Sequence, residues 1–248
     1  MVRLALALAL VAACSIPDVT FVKGDDIAID ASIDAPPGRT VTARWTLNHR
    51  QSATQFPCPA SAVTAAVLVN PWDPNALIVG SNTQTFTAKC SPTQGTFMLP
   101  AGIYVAHMVI QDSAGTNLLV SDFQFLDTTV NPGIADFSFY DDAGFFVFAY
   151  GLLDHAGGAR LTCAEAGISN NGKIELVSTP SSGPPITDQL ICDHHVGSTK
   201  ALPPGSYTFQ VRGREAGVVV TTTVVPPPLS VLADSVFVFQ DNVEIPVH

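Results

Sequence analysis

Leu99-Pro100-Ala101-Gly102-Ile103-Tyr104-Val105-Ala106-His107-Met108-Val109-Ile110 and Leu202-Pro203-Pro204-Gly205-Ser206-Tyr207-Thr208-Phe209-Gln210-Val211-Arg212 decide the fold of this chain. Each opens on a Pro-Gly turn and runs into a segment of period two, the spacing of a β-strand and not of a helix. In the phase set by the tyrosines, Ala106, Met108 and Ile110 on one segment and Phe209 and Val211 on the other are predicted to face a core. Their alternates, Val105, His107 and Val109 among them, are predicted to face solvent.

Outward from these two strands, the same landmarks occur twice in the same order. Residues 44–64 lie on residues 149–169 without a gap, so Trp45 and Tyr150 each stand 13 residues before a cysteine, Cys58 and Cys163. A second cysteine follows each, Cys90 after 32 residues and Cys192 after 29. Ser121-x-Phe123-x-Phe125-x-Asp127 matches Ser235-x-Phe237-x-Phe239-x-Asp241 and is read as the close of each unit. A repeat of this kind divides the chain into two modules, 19–127 and 133–248, joined by the linker 128–132. Each has about 110 residues, an ordinary domain size. The linker is too short for a flexible tether, so the modules are expected to stack end to end. Residues 27–31, 40–47 and 145–152 are further β-branched or aromatic runs bounded by turn residues, and the predicted class is all-β, a sandwich of about seven strands per unit. Pro226-Pro227-Pro228 lacks three N–H donors and belongs at a corner or an edge.

At the other end of the chain, Met1 to Cys14 reads MVRLALALALVAAC. One positive charge, an apolar run too short to span a bilayer and two small residues make a secretory signal. Val11-Ala12-Ala13-Cys14 resembles the lipobox of bacterial lipoproteins. That resemblance implies a signal peptide over 1–13, acylation of Cys14 (a palmitate-bearing anchor), a tether over 14–18, and, with Ser15 and not Asp after the cysteine, delivery to the outer membrane. The Leu-Pro-x-Gly-x-Tyr strands resemble the closing hairpin of bacterial carboxypeptidase-regulatory-like and related immunoglobulin-like modules. The whole is similar to bacterial surface lipoproteins with two tandem immunoglobulin-like β-sandwich domains. The cysteines depart from the antibody pattern, since neither second cysteine stands two residues after its Tyr.

Of the five cysteines, lipidation of Cys14 leaves four, which allow three pairings. The repeat selects Cys58 with Cys90 and Cys163 with Cys192, disulfides suited to an oxidising compartment. A zinc site is the competing reading, but the C-x-x-C spacing that brings two thiolates to one ion is missing. Only 13% of residues are charged and 47% are hydrophobic, yet no second long apolar run exists, which assigns that hydrophobicity to sheet cores. The net charge of −10 repels phosphate backbones and sets nucleic acid aside as a partner.

Chemistry is hard to find in these residues. His107 aligns with Gln210, His49 with Asp154 and His155 with Arg50, so no imidazole is shared by both units. His194-His195 is the best acid/base or metal candidate, but neighbours on a strand point to opposite faces. Asp25-Asp26 and Asp141-Asp142 sit in turn-like contexts, where Asp bonds its own backbone. No nucleophile elbow, H-E-x-x-H or phosphate-cradling glycine motif occurs. No catalytic residue, metal ligand or cofactor is therefore assigned. A structural or protein-binding surface module is the leading class. A carbohydrate-binding module is the alternative, with Trp72 in Asn70-Pro71-Trp72-Asp73-Pro74 as its possible ligand contact or, equally, a packed loop anchor. A hydrolase comes third. The partners implied are the membrane, through the N-terminal lipid, and a protein or glycan at the cell surface.

Overall fold

A computed structural model describes residues 38–73, 83–129, 133–154, 158–168, 173–215, 218–238 and 243–247. The signal peptide, Cys14 with its tether, the predicted strand at 27–31, Asp25-Asp26 and His155 lie outside the described residues. The first half forms strands β1 (Arg39–Asn48), β2 (Thr64–Pro71), β3 (Gln84–Lys89), β4 (Gln94–Leu99), β5 (Ile103–Gln111), β6 (Asn117–Val120), β7 (Gln124–Asp127) and β8 (Ile134–Tyr140). The second forms β9 (Phe145–Asp154), β10 (Arg160–Leu161), β11 (Lys173–Pro180), β12 (Ile186–Ile191), β13 (Val196–Ser198), β14 (Gly205–Glu215), β15 (Val218–Val231), β16 (Val236–Val238) and β17 (Val243–Val247). The fold is all-β: among the described residues the one helical piece is a 3-10 turn at Cys192–His194.

Alternation builds each core. On β1, Val41, Ala43, Trp45 and Leu47 are buried while Thr42, Arg44 and Thr46 point outward, as a half-buried strand requires. β1 is the centre of a three-stranded sheet, β4-β1-β8, and a second sheet runs β3-β2-β5-β6 with β7 also on β5. Ala65, Val67 and Val69 of β2 and Tyr104, Ala106, Met108 and Ile110 of β5 close on the β1 residues in a single apolar cluster, so the half is a sandwich. The second half repeats the plan, with β9 in the place of β1 and β11-β14 in the place of β2-β5. Phe146, Phe148, Tyr150 and Leu152 of β9 meet Ile174, Leu176, Phe209 and Val211 there.

The repeat landmarks turn out to be core devices. Tyr104 and Tyr207 are buried and donate their hydroxyls to the carbonyls of Pro100 at 3.1 Å and Pro203 at 2.8 Å, four residues upstream, the corner expected on a late sandwich strand. Cys58 is bonded to Cys90 and Cys163 to Cys192. Loops of this length stabilise each half by roughly 3 to 4 kcal/mol in the chain-entropy model. Trp45 Nε1–H donates to Cys90 O at 3.1 Å, and Tyr150 Oη–H to Ile191 O at 2.7 Å, so the aromatic on β1 or β9 ties down the second half-cystine of its own unit. Tyr207→Phe leaves the Pro203 carbonyl without this donor and is expected to cost about 1 to 3 kcal/mol in chemical denaturation, with unchanged circular dichroism.

The strand pairings correct three sequence expectations. β8, placed by its sequence in the second module, runs parallel to β1 with Phe137 beside Trp45, and Ala135, Phe137 and Phe139 fill the first core. The Phe-x-Phe landmark is likewise no structural equivalence, because β7 pairs with β5 in one sheet whereas β16 pairs with β9 in the other kind. Alternating apolar residues specify a half-buried strand but not which sheet receives it. β17, parallel to β9 with Val243 beside Tyr150, is the true counterpart of β8. Third, Val105 and Val109 are 5% and 4% exposed and do not face solvent, Val105 because the two halves meet over it. The triple proline sits in β15, an edge strand, where one residue of β14 (Thr208) faces the three prolines in a bulge between the Tyr207–Leu229 and Phe209–Val225 pairs.

Candidate functional site

β5 and β9 are each buried on both faces, and their outer faces meet. Val105 of β5 packs with Val147 and Ala149 of β9, and around them lie Trp72, Phe123 and Phe125 from the first half and Val196 and Val236 from the second. The halves thus join through sheet faces and not end to end. Polar contacts add to the seam: Trp72 Nε1–H donates to His194 O at 2.7 Å, Arg50 Nε–H to Ala201 O at 2.7 Å, and the backbone N–H groups of Arg50 and Gln51 to the Asp142 carboxylate at 2.6 and 2.9 Å. His49 Nδ1 lies 2.7 Å from Asp141 Oδ1. The Asp141-Asp142 turn thus clasps the loop after β1.

Two adjoining hollows open along this seam, sharing Gln189, Leu190 and Ser198 as walls. The first, about 230 Å³, is floored by Val105, Phe125 and His194. The second, about 260 Å³, lies between Asp122, Ser138 and Tyr140 of the first half and Asp188, Gln189 and Lys200 of the second. Burial pushes the Asp122 carboxyl up to about 6, against the opposing pull of hydrogen bonds from Ser138 N–H at 3.0 Å and Gln124 Nε2–H at 2.7 Å. Asp188 is raised by burial against the pull of Lys200. His107, its ring stacked on Phe123 at 4.5 Å, is pushed down to about 4 by burial.

These shifts give opposing pH dependences. Asp122 holds its proton up to about 6 in the fold and only to about 4 when unfolded, so its contribution is largest below pH 4 and is lost as pH rises through 6. His107 sheds its proton down to about 4 in the fold and at about 6.5 when unfolded, so its contribution is full above 6.5 and is lost as pH falls to 4. Urea unfolding across this window is expected to lose stability more steeply on acidification in Asp122→Asn than in wild type, and to gain it on acidification in His107→Gln. Profiles parallel to wild type in both variants would contradict the assignment.

The sequence candidates fall in different places. Trp72 is half-buried, edge-on to Phe125 at 5.8 Å, with its N–H donated to His194 O in the seam. His194 stacks on Phe125 at 3.5 Å, and burial lowers its pKa. His195, in the left-handed region at φ 53°, turns to Tyr150 O at 3.4 Å, so the two imidazoles do not converge. Among the described residues no three His, Cys, Asp or Glu side chains are grouped to hold a metal ion, and no helix is long and apolar enough to cross a membrane. Asp122 and Asp188 were not singled out by motif. Asp188 had a signal nonetheless: it shares the inward phase of Ile186 and Leu190.

No family model and no curated protein matches the chain. Some solved structures resemble it. A leucine-rich repeat protein from Bacteroides thetaiotaomicron has 16% identity and a TM-score of 0.39, and the match covers 85% of this chain but only 26% of that one. A candidate adhesin from Bacteroides ovatus has 14% identity and a TM-score of 0.31, covering 77% of this chain and 79% of that one. A candidate polysaccharide-binding protein from Bacteroides thetaiotaomicron has 9% identity and a TM-score of 0.31, covering 74% and 79%. At this level of likeness the function has to come from the chain's own residues.

Proposed function

We propose that this chain is a lipid-anchored protein of the cell envelope, held at the outer membrane by an acylated Cys14, that acts by binding a partner and not by turnover. Its two halves are immunoglobulin-like domains in tandem, joined along one seam into a single presenting body. The observation that carries the reading is the fate of the cysteines: four are joined in two disulfides inside the cores, and the fifth, Cys14, stands directly behind Val11-Ala12-Ala13. Disulfides belong to an oxidising compartment. Acyl chains at Cys14 would each add about 0.8 kcal/mol of membrane affinity per buried methylene, enough for two or more chains to hold the protein there.

Binding is favoured over catalysis by what the polar groups do. His49, His107, His194 and His195 are each engaged with a carboxylate, a ring or a backbone carbonyl in the packing of the two halves. The charge of −10 argues against nucleic acid as the partner. Labelling with radioactive palmitate, followed by fractionation, tests the anchor: wild-type protein is expected to carry label and sediment with membranes, and Cys14→Ser to do neither. An unlabelled wild-type protein, or a Cys14→Ser variant that still sediments with the membranes, would overturn the reading.

A further inference from the structure

β15 is the edge of the sheet β12-β11-β14-β15 and, at 14 residues, the longest strand among the described residues. Its ladder partner is β14 on one side; towards β17 it makes a side-chain bond, from Thr221 Oγ1–H to Pro246 O. An edge strand offers unpaired N–H and C=O groups to any other strand, and proteins ordinarily guard such edges with charge or proline. Edge strands β3, β8 and β17 follow that rule with Lys89, Asp136 and Glu244. β15 follows it over one half alone. Pro226-Pro227-Pro228 closes the later part, but Val218 to Val225 is an unbroken run of β-branched residues, and no charge stands between Glu215 and Asp234. Val218 is 65% and Val224 56% exposed, and Thr222 is exposed between them.

The sequence of this open edge names its occupant. Residues 219–225 read Val-Val-Thr-Thr-Thr-Val-Val, the same in both directions about Thr222. Two antiparallel copies related by a twofold axis through Thr222 would set Val219 against Val225, Thr221 against Thr223, and Thr222 against its own mate. Thr–Thr and β-branched pairs are favourable cross-strand neighbours, and no like charges meet. The ladder to β14 is regular from Thr221 to Val225 and shifts only outside that stretch. Because each copy brings one such edge, the contact closes at two and does not propagate through β15.

We propose that β15 is the interface of a twofold dimer, in which residues 219–225 of two copies pair antiparallel about Thr222 and join two four-stranded sheets into one of eight strands. The contact is independent of the lipid at Cys14, so palmitate labelling and dimerisation are judged separately.

Two measurements on the full-length protein test it. Sedimentation equilibrium is expected to show a mass that rises to twice the monomer's with concentration. Thr222→Lys, which sets two ammonium groups face to face on the axis, is expected to remain monomeric with unchanged circular dichroism. Thr187→Lys, at an exposed position on the opposite edge strand β12, is expected to dimerise as wild type does. In intact cells under mild oxidation, Thr222→Cys is expected to yield a disulfide-linked dimer beyond any seen in wild type. Ser230→Cys, exposed on the same strand but roughly 50 Å from its mate in this register, is expected to yield none. Wild type that is monomeric at every concentration, a dimer that survives Thr222→Lys or is lost equally in Thr187→Lys, cross-linking as strong at 230 as at 222, or Thr222→Cys joined to a different protein would each overturn the interface.

Discussion

Trp45→Ala is expected to destabilise the protein by about 3 to 5 kcal/mol, the range for emptying an aromatic site in a packed core. Trp45 is 2% exposed at the centre of the β4-β1-β8 sheet, with Phe137 beside it on β8. Its loss opens a cavity between the two sheets and also removes the donor to Cys90 O, leaving a buried carbonyl unpaired. Trp45→Phe fills part of the cavity but restores no donor, and should fall between the two. Guanidinium unfolding monitored by circular dichroism makes the comparison, and equal midpoints for wild type and Trp45→Ala would show that the ring is not the keystone of the first core.

Gly144→Ala is expected to cost about 3 kcal/mol, the upper part of the range for overpacking, although it adds only one methyl group. A Cβ at Gly144 would overlap the carbonyl oxygen of Leu232 and stand 2.8 Å from that of Ser235. Neither backbone can yield easily: Gly144 exchanges two hydrogen bonds with Leu202 at 3.0 and 2.9 Å, and Phe145 N–H donates to Ser235 O at 2.9 Å. Gly133→Ala is the control, since its Cβ would meet only Val41 methyls at 3.8 and 3.9 Å. A melting temperature for Gly144→Ala equal to that of Gly133→Ala would mean that the 232–235 turn does not press on β9 as described.

The features legible in the sequence are those carried by local pattern. Tyr104 and Tyr207 announce themselves by Gly-x-Tyr ahead of an alternating strand, and the hydroxyl-to-carbonyl corner closes within four residues. The disulfides follow from near-equal spacing in two copies, 32 and 29 residues. What escaped is long-range choice. β8 has the alternation of any half-buried strand, and nothing in Ile134 to Tyr140 says that it returns to β1 in parallel. The seam escaped for the same reason, because Val105 and Ala149 are as ordinary on a solvated face as on a covered one. Phe145 to Leu152 did carry a hint: an apolar run with hardly a polar alternate reads as a strand buried on both faces. Asp188 carried another, a charge in the otherwise apolar inward phase of its strand.

Intact mass of the protein purified from the cell envelope, measured before and after reduction, tests the central claim of an anchored, disulfide-locked binding module most directly. The predicted result is a chain that begins at Cys14, carries acyl chains there, and gains the mass of four hydrogens on reduction as the two bridges open. A mature chain that begins elsewhere, a Cys14 without acyl chains, or a mass unchanged by reduction would contradict it.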